Sequence, residues 1–295
     1  MELNVSDINV SDIALASNTL LHKRYRIDSI YYWGHTGIVY LSTDTIQNKT
    51  VVVKEYCPYY LANRDMDRTT VICKGKTFQK SFEQAKKAFE KECMIVQKMS
   101  DLDKPYEGCT LQYIDYFKEN ETIYLVTELV EGKSLEEYIL EGDDFSIRNI
   151  MLSLVKITRQ IHKRGIIHRD IKPSNIILTE EGKVVLIDFG SACYRKEENA
   201  DVVFVSRGFS APELYQNQKS DYGTDIYSIG ALLYYLLTGY MLTAANEIEN
   251  DKDVPYISEF IPISGYLQHF VMKCIRLKRK KRLHHLIILQ WVLTI

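Results

Sequence analysis

The sequence predicts an α+β protein in two parts, with strands gathered in the first and helices in the second. Three observations predict it. Between residues 25 and 129, short runs rich in Tyr, Ile, Val and Thr recur between polar turns, with one long amphipathic helix among them. Beyond Gly132 the apolar residues recur at helical spacing instead. The 295 residues, 46% hydrophobic and 26% charged, are enough for one large domain or two lobes with a real core.

Taken in order, residues 1–17 carry a tandem pair, Asn4-Val5-Ser6-Asp7-Ile8 and Asn9-Val10-Ser11-Asp12-Ile13. Two copies make no repeat architecture, so this stretch is expected to be a loosely ordered arm ahead of a domain over 18–295. Strands are expected at 25–31, 38–43 and 50–56, the last two joined by a polar turn at Gln47-Asn48. Cys57-Pro58 ends the third, and residues 58–77 read as a connection holding an extra hairpin, 69–73 followed by Lys74-Gly75-Lys76. Next, Phe82, Ala85, Phe89, Glu92, Val96 and Met99 follow helical spacing. Glu92 interrupts that apolar stripe, and a carboxylate facing a core requires a cation. Lys54, ending the run Val51-Val52-Val53, is the natural partner; the alternative puts Glu92 at a groove rim or in another pair. Strands at 111–117 and 122–129 then complete a five-stranded sheet. Ser146 is expected to cap a helix through Ile147, Ile150, Met151, Leu154, Ile157 and Ile161, ending near Gly165. A largely apolar helix follows from Thr224 to Leu237. The run 286–295 is shorter than the about 20 residues a membrane span needs and reads as a buried terminal helix.

The chemistry concentrates in His168-Arg169-Asp170-Ile171-Lys172-Pro173-Ser174-Asn175 and the residues directly after it. Ile176-Ile177-Leu178, the turn Glu180-Glu181-Gly182, and Val184-Val185-Leu186-Ile187 form a hairpin pattern running into Asp188-Phe189-Gly190. Such a hairpin brings Asp170, Asn175 and Asp188 to one end of two paired strands. A lone aspartate in a polar loop is usually solvated or caps a turn. Two carboxylates and an amide beside a lysine suit phosphoryl transfer instead: one carboxylate accepts a hydroxyl proton, and the other oxygens hold a magnesium ion that bridges phosphates.

This segment resembles the catalytic loop and metal-binding motif of the eukaryotic-type (Hanks-type) protein kinases, H-R-D…N followed by D-F-G. Other stretches resemble the same family in the same order. Tyr32-Trp33-Gly34-His35-Thr36-Gly37-Ile38-Val39 is similar to the phosphate-covering loop, with Tyr32 where the first glycine belongs; a plain glycine-containing hairpin is the commoner origin of such a pattern. Val51-Val52-Val53-Lys54 resembles the V-A-I-K strand, 127–132 the hinge, and Ala211-Pro212-Glu213 the A-P-E motif. The turn Lys54-Glu55-Tyr56-Cys57-Pro58 and the stretch 224–239 resemble bacterial serine/threonine kinases most.

The resemblance implies the bilobal protein-kinase fold. Its small lobe (about 18–130) holds a five-stranded antiparallel sheet and one long helix, and its large lobe (about 131–295) is mainly helical. It implies an enzyme that moves the γ-phosphoryl group of ATP, with Mg2+, to a protein serine or threonine, autophosphorylation being left open. Asp170 and Lys172 would act at the reacting groups, Asn175 and Asp188 on magnesium, and Lys54 with Glu92 on the phosphates. Gly34, Gly37, Val39, Val52, Thr127 as gatekeeper, Glu128, Val130 and Ile177 would surround the nucleotide. Asp225 would brace the catalytic-loop backbone, Arg282 pair with Glu213, and Ser206 bond near Asp170 and Lys172. Arg169 would meet an activating phosphate. Since the middle of the segment 191–206 lacks a hydroxyl, Glu197, Glu198 or Asp201 is expected to substitute in part.

A net charge of −2 argues against a nucleic-acid binder, and the basic run from Arg276 to Arg282 reads as a solvated turn between helices. Six cysteines without metal-ligand spacing, and a start without a secretory pattern, suggest reduced thiols in the cytoplasm. Two other classes remain in view: a binding module on the same fold without chemistry, supported by Tyr32 and Trp33, and a small-molecule kinase, which would generally lack Lys172 and the A-P-E segment.

Overall fold

The computed structural model describes residues 10–100, 109–197 and 205–294. The chain divides into two compact units, Met1–Asp101 with Leu111–Leu129, and Leu102–Thr110 with Val130–Ile295.

The first unit is built on β1 (Leu20–Leu21), β2 (Tyr25–Trp33), β3 (Gly37–Asp44) and β4 (Lys49–Tyr56). A short hairpin follows, β5 (Ala62–Arg64) paired with β6 (Val71–Cys73), and then α1 (Gln79–Ser100), β7 (Tyr113–Glu119) and β8 (Thr122–Glu128). The main sheet is antiparallel in the order β1-β2-β3-β4-β8-β7. It therefore has six strands, not the expected five. The added edge strand is two residues long, too short to show a period; Leu21 is buried, and β1 is held by its register against Arg26 and Tyr25. The hairpin within 58–77 also differs from expectation, because 71–73 pairs backward with 62–64 and not with the residues after it.

Strand alternation sorts β4 into two faces. Val51, Val53 and Glu55 are buried on one, while Val52 and Lys54 lie on the other. Register places Val39 opposite Lys54, and Thr127 opposite Val52, so these four share a face. Helix α1 buries Phe82, Phe89, Glu92, Val96 and Met99, the stripe read from its spacing. Residues 10–17, expected to belong to a loose arm, pack here: Leu15 is buried and Arg64 binds the carbonyl of Ile13.

The second unit begins with β9 (Lys133–Ser134), α2 (Leu135–Glu141) and α3 (Ile147–Lys163). Ser146 caps α3 by accepting from the Asn149 N–H. Then come β10 (Ile166–Ile167), β11 (Ile176–Leu178), β12 (Val184–Leu186) and β13 (Cys193–Tyr194), with β12-β11-β9 in one small sheet and β10-β13 in another. Helices α4 (Pro212–Tyr215), α5 (Tyr222–Thr238), α6 (Gly265–Cys274) and α7 (Leu286–Thr294) complete it. Asp221 caps the start of α5, and Gly239, at φ 73°, ends it in the left-handed conformation that glycine adopts without strain. Residues 224–234 of α5 are buried throughout, as its mostly apolar composition demands. Helix α7 buries Leu286, Leu289, Val292 and Leu293. Among the described residues, no helix is long and apolar enough to cross a membrane.

Candidate active site

In the second unit the site grows from Asp225, in the first turn of α5. Its carboxylate is fully buried and accepts the backbone N–H groups of His168 (2.9 Å) and Arg169 (2.8 Å), and it meets His162 Nε2 at 2.7 Å. Burial pushes this carboxyl up, but His162 and the backbone donors outweigh it, so its pKa lies below the ordinary value. The contacts hold Arg169 at φ 68°, an uncommon conformation for a residue with a side chain. His168 is fully buried, and burial lowers its pKa against the pull of Asp225, Asp170 and Asp188.

The loop so fixed presents Asp170. Asn175 Nδ2 donates to its backbone oxygen (2.8 Å) and to Oδ2 (2.9 Å), and Lys172 Nζ meets Oδ2 at 2.9 Å. Ser206 Oγ donates to Oδ1 (2.7 Å) and accepts from Lys172 Nζ (3.1 Å). With Nδ2 committed to Asp170, the group Asn175 has left to offer is its amide oxygen. Antiparallel pairing of Ile176 with Leu186, continued by the Ile187 N–H to the Asn175 carbonyl (2.9 Å), brings Asp188 to the same end of the hairpin as Asn175. Asp188 sits at φ 59° and accepts the Gly190 N–H at 3.1 Å. The geometry collects a proton acceptor, a cation and two further oxygen donors in one unit.

Glu213 and Arg282 lie deeper. Two bonds of 2.7 Å join them, and the guanidinium also donates to the carbonyls of Arg276, Leu277 and Gly223. Both side chains are essentially without solvent contact. Burial raises the Glu213 pKa, and Arg282 more than reverses this, leaving it below normal. The basic run around Arg282 is thus not uniformly solvated. Arg279 binds the Lys219 carbonyl and approaches Asp221, and Arg276 pairs with Asp251, whereas Lys278, Lys280 and Lys281 are exposed. Arg169 Nε donates to the Ser191 carbonyl. Of the acidic residues expected to serve Arg169, Glu198 and Asp201 lie outside the described residues, and the described Glu197 donates its N–H to Tyr194.

In the first unit, Lys54 Nζ meets Glu92 Oε1 at 2.7 Å, with Glu92 2% and Lys54 16% exposed, and lies over the Phe89 ring. Val39, Val52 and Thr127 line the same sheet face. Gly37 has a reason of its own: a Cβ there would stand 1.8 Å from the Glu55 carbonyl oxygen. Gly34 donates its N–H to the Gly37 carbonyl (3.0 Å), beside the Tyr32 ring. Glu128, which ends β8, is exposed and gives its N–H to the Gln112 carbonyl (2.9 Å). In the second unit Val130 is partly exposed, as is Ile177 in the middle of β11.

One cluster escaped sequence reasoning. Glu55 is wholly buried, bound twice by Arg64 (2.7 Å each) and by the hydroxyls of Tyr40 and Tyr124 (2.8 Å each). Its alternation with Val51 and Val53 was the available signal. His162 was also missed, and a polar residue beside the apolar stripe of α3 gives no local sign of its partner.

The chain is similar to known proteins. A family model described as the protein kinase domain matches residues 33–292. The serine/threonine-protein kinase D of Synechocystis is 29% identical over 279 residues, which cover 90% of this chain and 50% of that protein. A probable serine/threonine-protein kinase of Clostridium perfringens is 31% identical over 225 residues, 71% of this chain and 32% of its own length. This chain thus spans half or less of the length of these curated relatives. A solved structure described as the PpkA-294 apo form is 28% identical, with a TM-score of 0.78 over 95% of this chain and 99% of its own. The two-unit arrangement of strands and helices is the protein-kinase fold, and the chain belongs to the protein kinase domain family.

Proposed function

We propose that this chain is an ATP-dependent protein serine/threonine kinase, moving the γ-phosphoryl group of Mg-ATP to a protein hydroxyl. The observation that carries the reading is the Asp170 carboxylate, held by Asn175, Lys172 and Ser206 at 2.7–2.9 Å. Asp170 orients the acceptor hydroxyl and takes its proton as the oxygen bonds to the γ-phosphorus. The bond from that phosphorus to its bridging oxygen breaks, and ADP leaves. Lys172 stands beside the charge that develops. Lys54, braced by Glu92, grips the α- and β-phosphates, and Val39 and Val52 of the first unit and Ile177 of the second each offer the adenine an apolar side chain. Thr127 is the gatekeeper, and the backbone groups of Glu128 and Val130 meet the base. Gly34 and Gly37 let backbone amides approach the phosphates.

Magnesium, when bound, neutralises phosphate charge. The Asn175 amide oxygen and the Asp188 carboxylate would hold it, and hard oxygen donors fit such an ion. Among the described residues no three His, Cys, Asp or Glu side chains cluster to cage a metal. Magnesium typically uses one or two protein carboxylates together with water and phosphate oxygens. Lys172 and the segment Ala211-Pro212-Glu213 favour a protein acceptor, which includes this chain itself. The six cysteines, none of them in a disulfide, favour a cytoplasmic setting.

The test is transfer from γ-labelled ATP to the protein itself, to generic proteins and to small alcohols, with nucleotide binding measured in parallel with and without magnesium. Asp170→Asn should keep its ATP affinity while transfer falls about 10²–10⁴-fold, the range of a positioned general base. Asp188→Asn should lose magnesium-dependent binding and transfer together. Tight ATP binding by the wild type with no transfer would establish a binding module, and transfer to alcohols alone a small-molecule kinase. Loss of ATP binding in Asp170→Asn would show that the two aspartates have been given each other's roles.

A further inference from the structure

The turn between β2 and β3 is tethered at both of its shoulders. On one side of Gly34, the Trp33 ring meets the Tyr59 ring edge-on, at 5.7 Å and 80°. On the other, His35 Nδ1 and the Tyr59 hydroxyl are 3.2 Å apart, with the rings at 5.5 Å. Tyr60 adds a second ring contact to His35, edge-on at 6.1 Å, and packs against Tyr59 at 5.7 Å. The anchor is firmer than what it holds. Tyr59 is only 6% exposed and lies just after Pro58, whose carbonyl accepts the N–H groups of Leu61 and Ala62, both at 2.9 Å. His35 is exposed on the loop. Beside Gly34 stands the Tyr32 ring, 3.3 Å from where a Cβ would be.

We infer that Tyr59 is a positioning residue for nucleotide binding: through Trp33 and His35 it holds the turn so that its backbone amides stand ready for the nucleotide's phosphates. The inference rests on the kinase reading, which makes this turn the phosphate-covering loop. Its physical basis is conformational entropy. A turn built on glycine samples many conformations, and ordering it when nucleotide arrives weakens binding. A turn already held by two side chains loses less freedom on binding. Tyr59 touches no reacting atom, so its effect falls on nucleotide affinity and leaves the chemical step alone.

Steady-state kinetics with ATP and with a protein acceptor test this. His35→Ala removes one end of the hydrogen bond on an exposed loop, and Tyr59→Phe removes the other while keeping the ring contacts. Each should raise KM for ATP by about fivefold, with kcat and the acceptor KM within about twofold of wild type. Because His35→Ala already breaks the bond that Tyr59→Phe removes, together with the ring contacts of His35, the double variant should be no worse than His35→Ala alone. Tyr59→Leu, which also removes the Trp33 contact, should raise KM for ATP further.

A second readout needs no activity. The chain has two tryptophans, so Trp291→Phe leaves Trp33 alone. In that background Tyr59→Leu should make Trp33 fluorescence more accessible to acrylamide without nucleotide present. If ATP is turned over while His35→Ala and Tyr59→Phe keep the wild-type KM, or if their effects add, this inference is wrong and the kinase reading stands. A wild type that neither binds nor turns over ATP removes the kinase reading, and this inference with it.

Discussion

Ser206 joins two side chains that need different things. Its hydroxyl donates to the Asp170 carboxylate and accepts from the Lys172 ammonium, so it settles the distance between a proton acceptor and a cation. A hydrogen bond to a charged group contributes about 1.5–3 kcal/mol. If most of that is lost as orientation in the transition state, Ser206→Ala should lower kcat by about 10–100-fold. The melting temperature should change little, because Ser206 is partly exposed. Ser206→Thr keeps the hydroxyl and should keep most of the rate. Equal rates for Ala, Thr and wild type, measured at saturating ATP and acceptor, would leave Ser206 without this role. Ser206 was readable only through the family resemblance, by its place ahead of Ala211-Pro212-Glu213. His162 was not readable, because its partner Asp225 is 63 positions away and meets it only once α3 and α5 pack.

At the scale of elements, two buried arginines each pin a segment to a unit. Arg282 joins the residues before α7 to Glu213 at the start of α4, with all its donors engaged. Removing one partner of such a pair costs about 3–5 kcal/mol, since the other is left buried and unpaired. Arg282→Ala should lower the melting temperature clearly, and Arg282→Lys should recover little, because an ammonium cannot reproduce the fork. An Arg282→Ala variant that melts like wild type would show the pair to be energetically idle. Arg64 does the corresponding work in the first unit. It binds Glu55 twice and reaches the carbonyls of Ile13 and Thr69. Arg64→Ala should therefore destabilise by a similar amount and also loosen residues 10–17. Limited proteolysis should cut that variant faster there, whereas unchanged cutting would mean that Leu15, whose N–H is bonded to the Tyr40 hydroxyl, suffices to hold the segment.

At the scale of the molecule, the buried ionisable groups of the second unit respond to acid in one direction. Burial lowers the His168 pKa from 6.5, so below that value the unfolded chain takes up a proton that the folded one refuses. Glu213 and Asp225 are held below 4.5 and 3.8 by their partners. Their contribution is complete above those values and is lost as pH falls through the lower folded-state values. All three make stability decline on acidification, beginning near the ordinary histidine value and steepening in the carboxylate range. Melting temperature followed from about pH 8 to about pH 3 should fall in that order. A melting temperature that rises on going from neutral to acid would contradict these assignments.

How much of this was legible from sequence depends on distance along the chain. Strand alternation and helical spacing are set by covalent geometry a few residues long, so the strands of the main sheet, α1 and α3 could be read directly, the two-residue β1 excepted. Glu92 could be read as needing a cation because it breaks an apolar stripe, and Asp170, Asn175 and Asp188 because a hairpin pattern joins them. Arg282 stood out from the lysines and arginines around it only by resemblance to a family. Nothing local distinguishes it from Lys281, which is exposed. Tertiary structure alone decided that Gly37 is demanded by the carbonyl of Glu55 and that Glu55 needs Arg64 and two tyrosines. It also decided that residues 10–17 pack against the sheet they precede. These outcomes depend on which buried surfaces meet, and a buried charge or a close backbone approach acquires its partner only when segments far apart in the chain exclude water together.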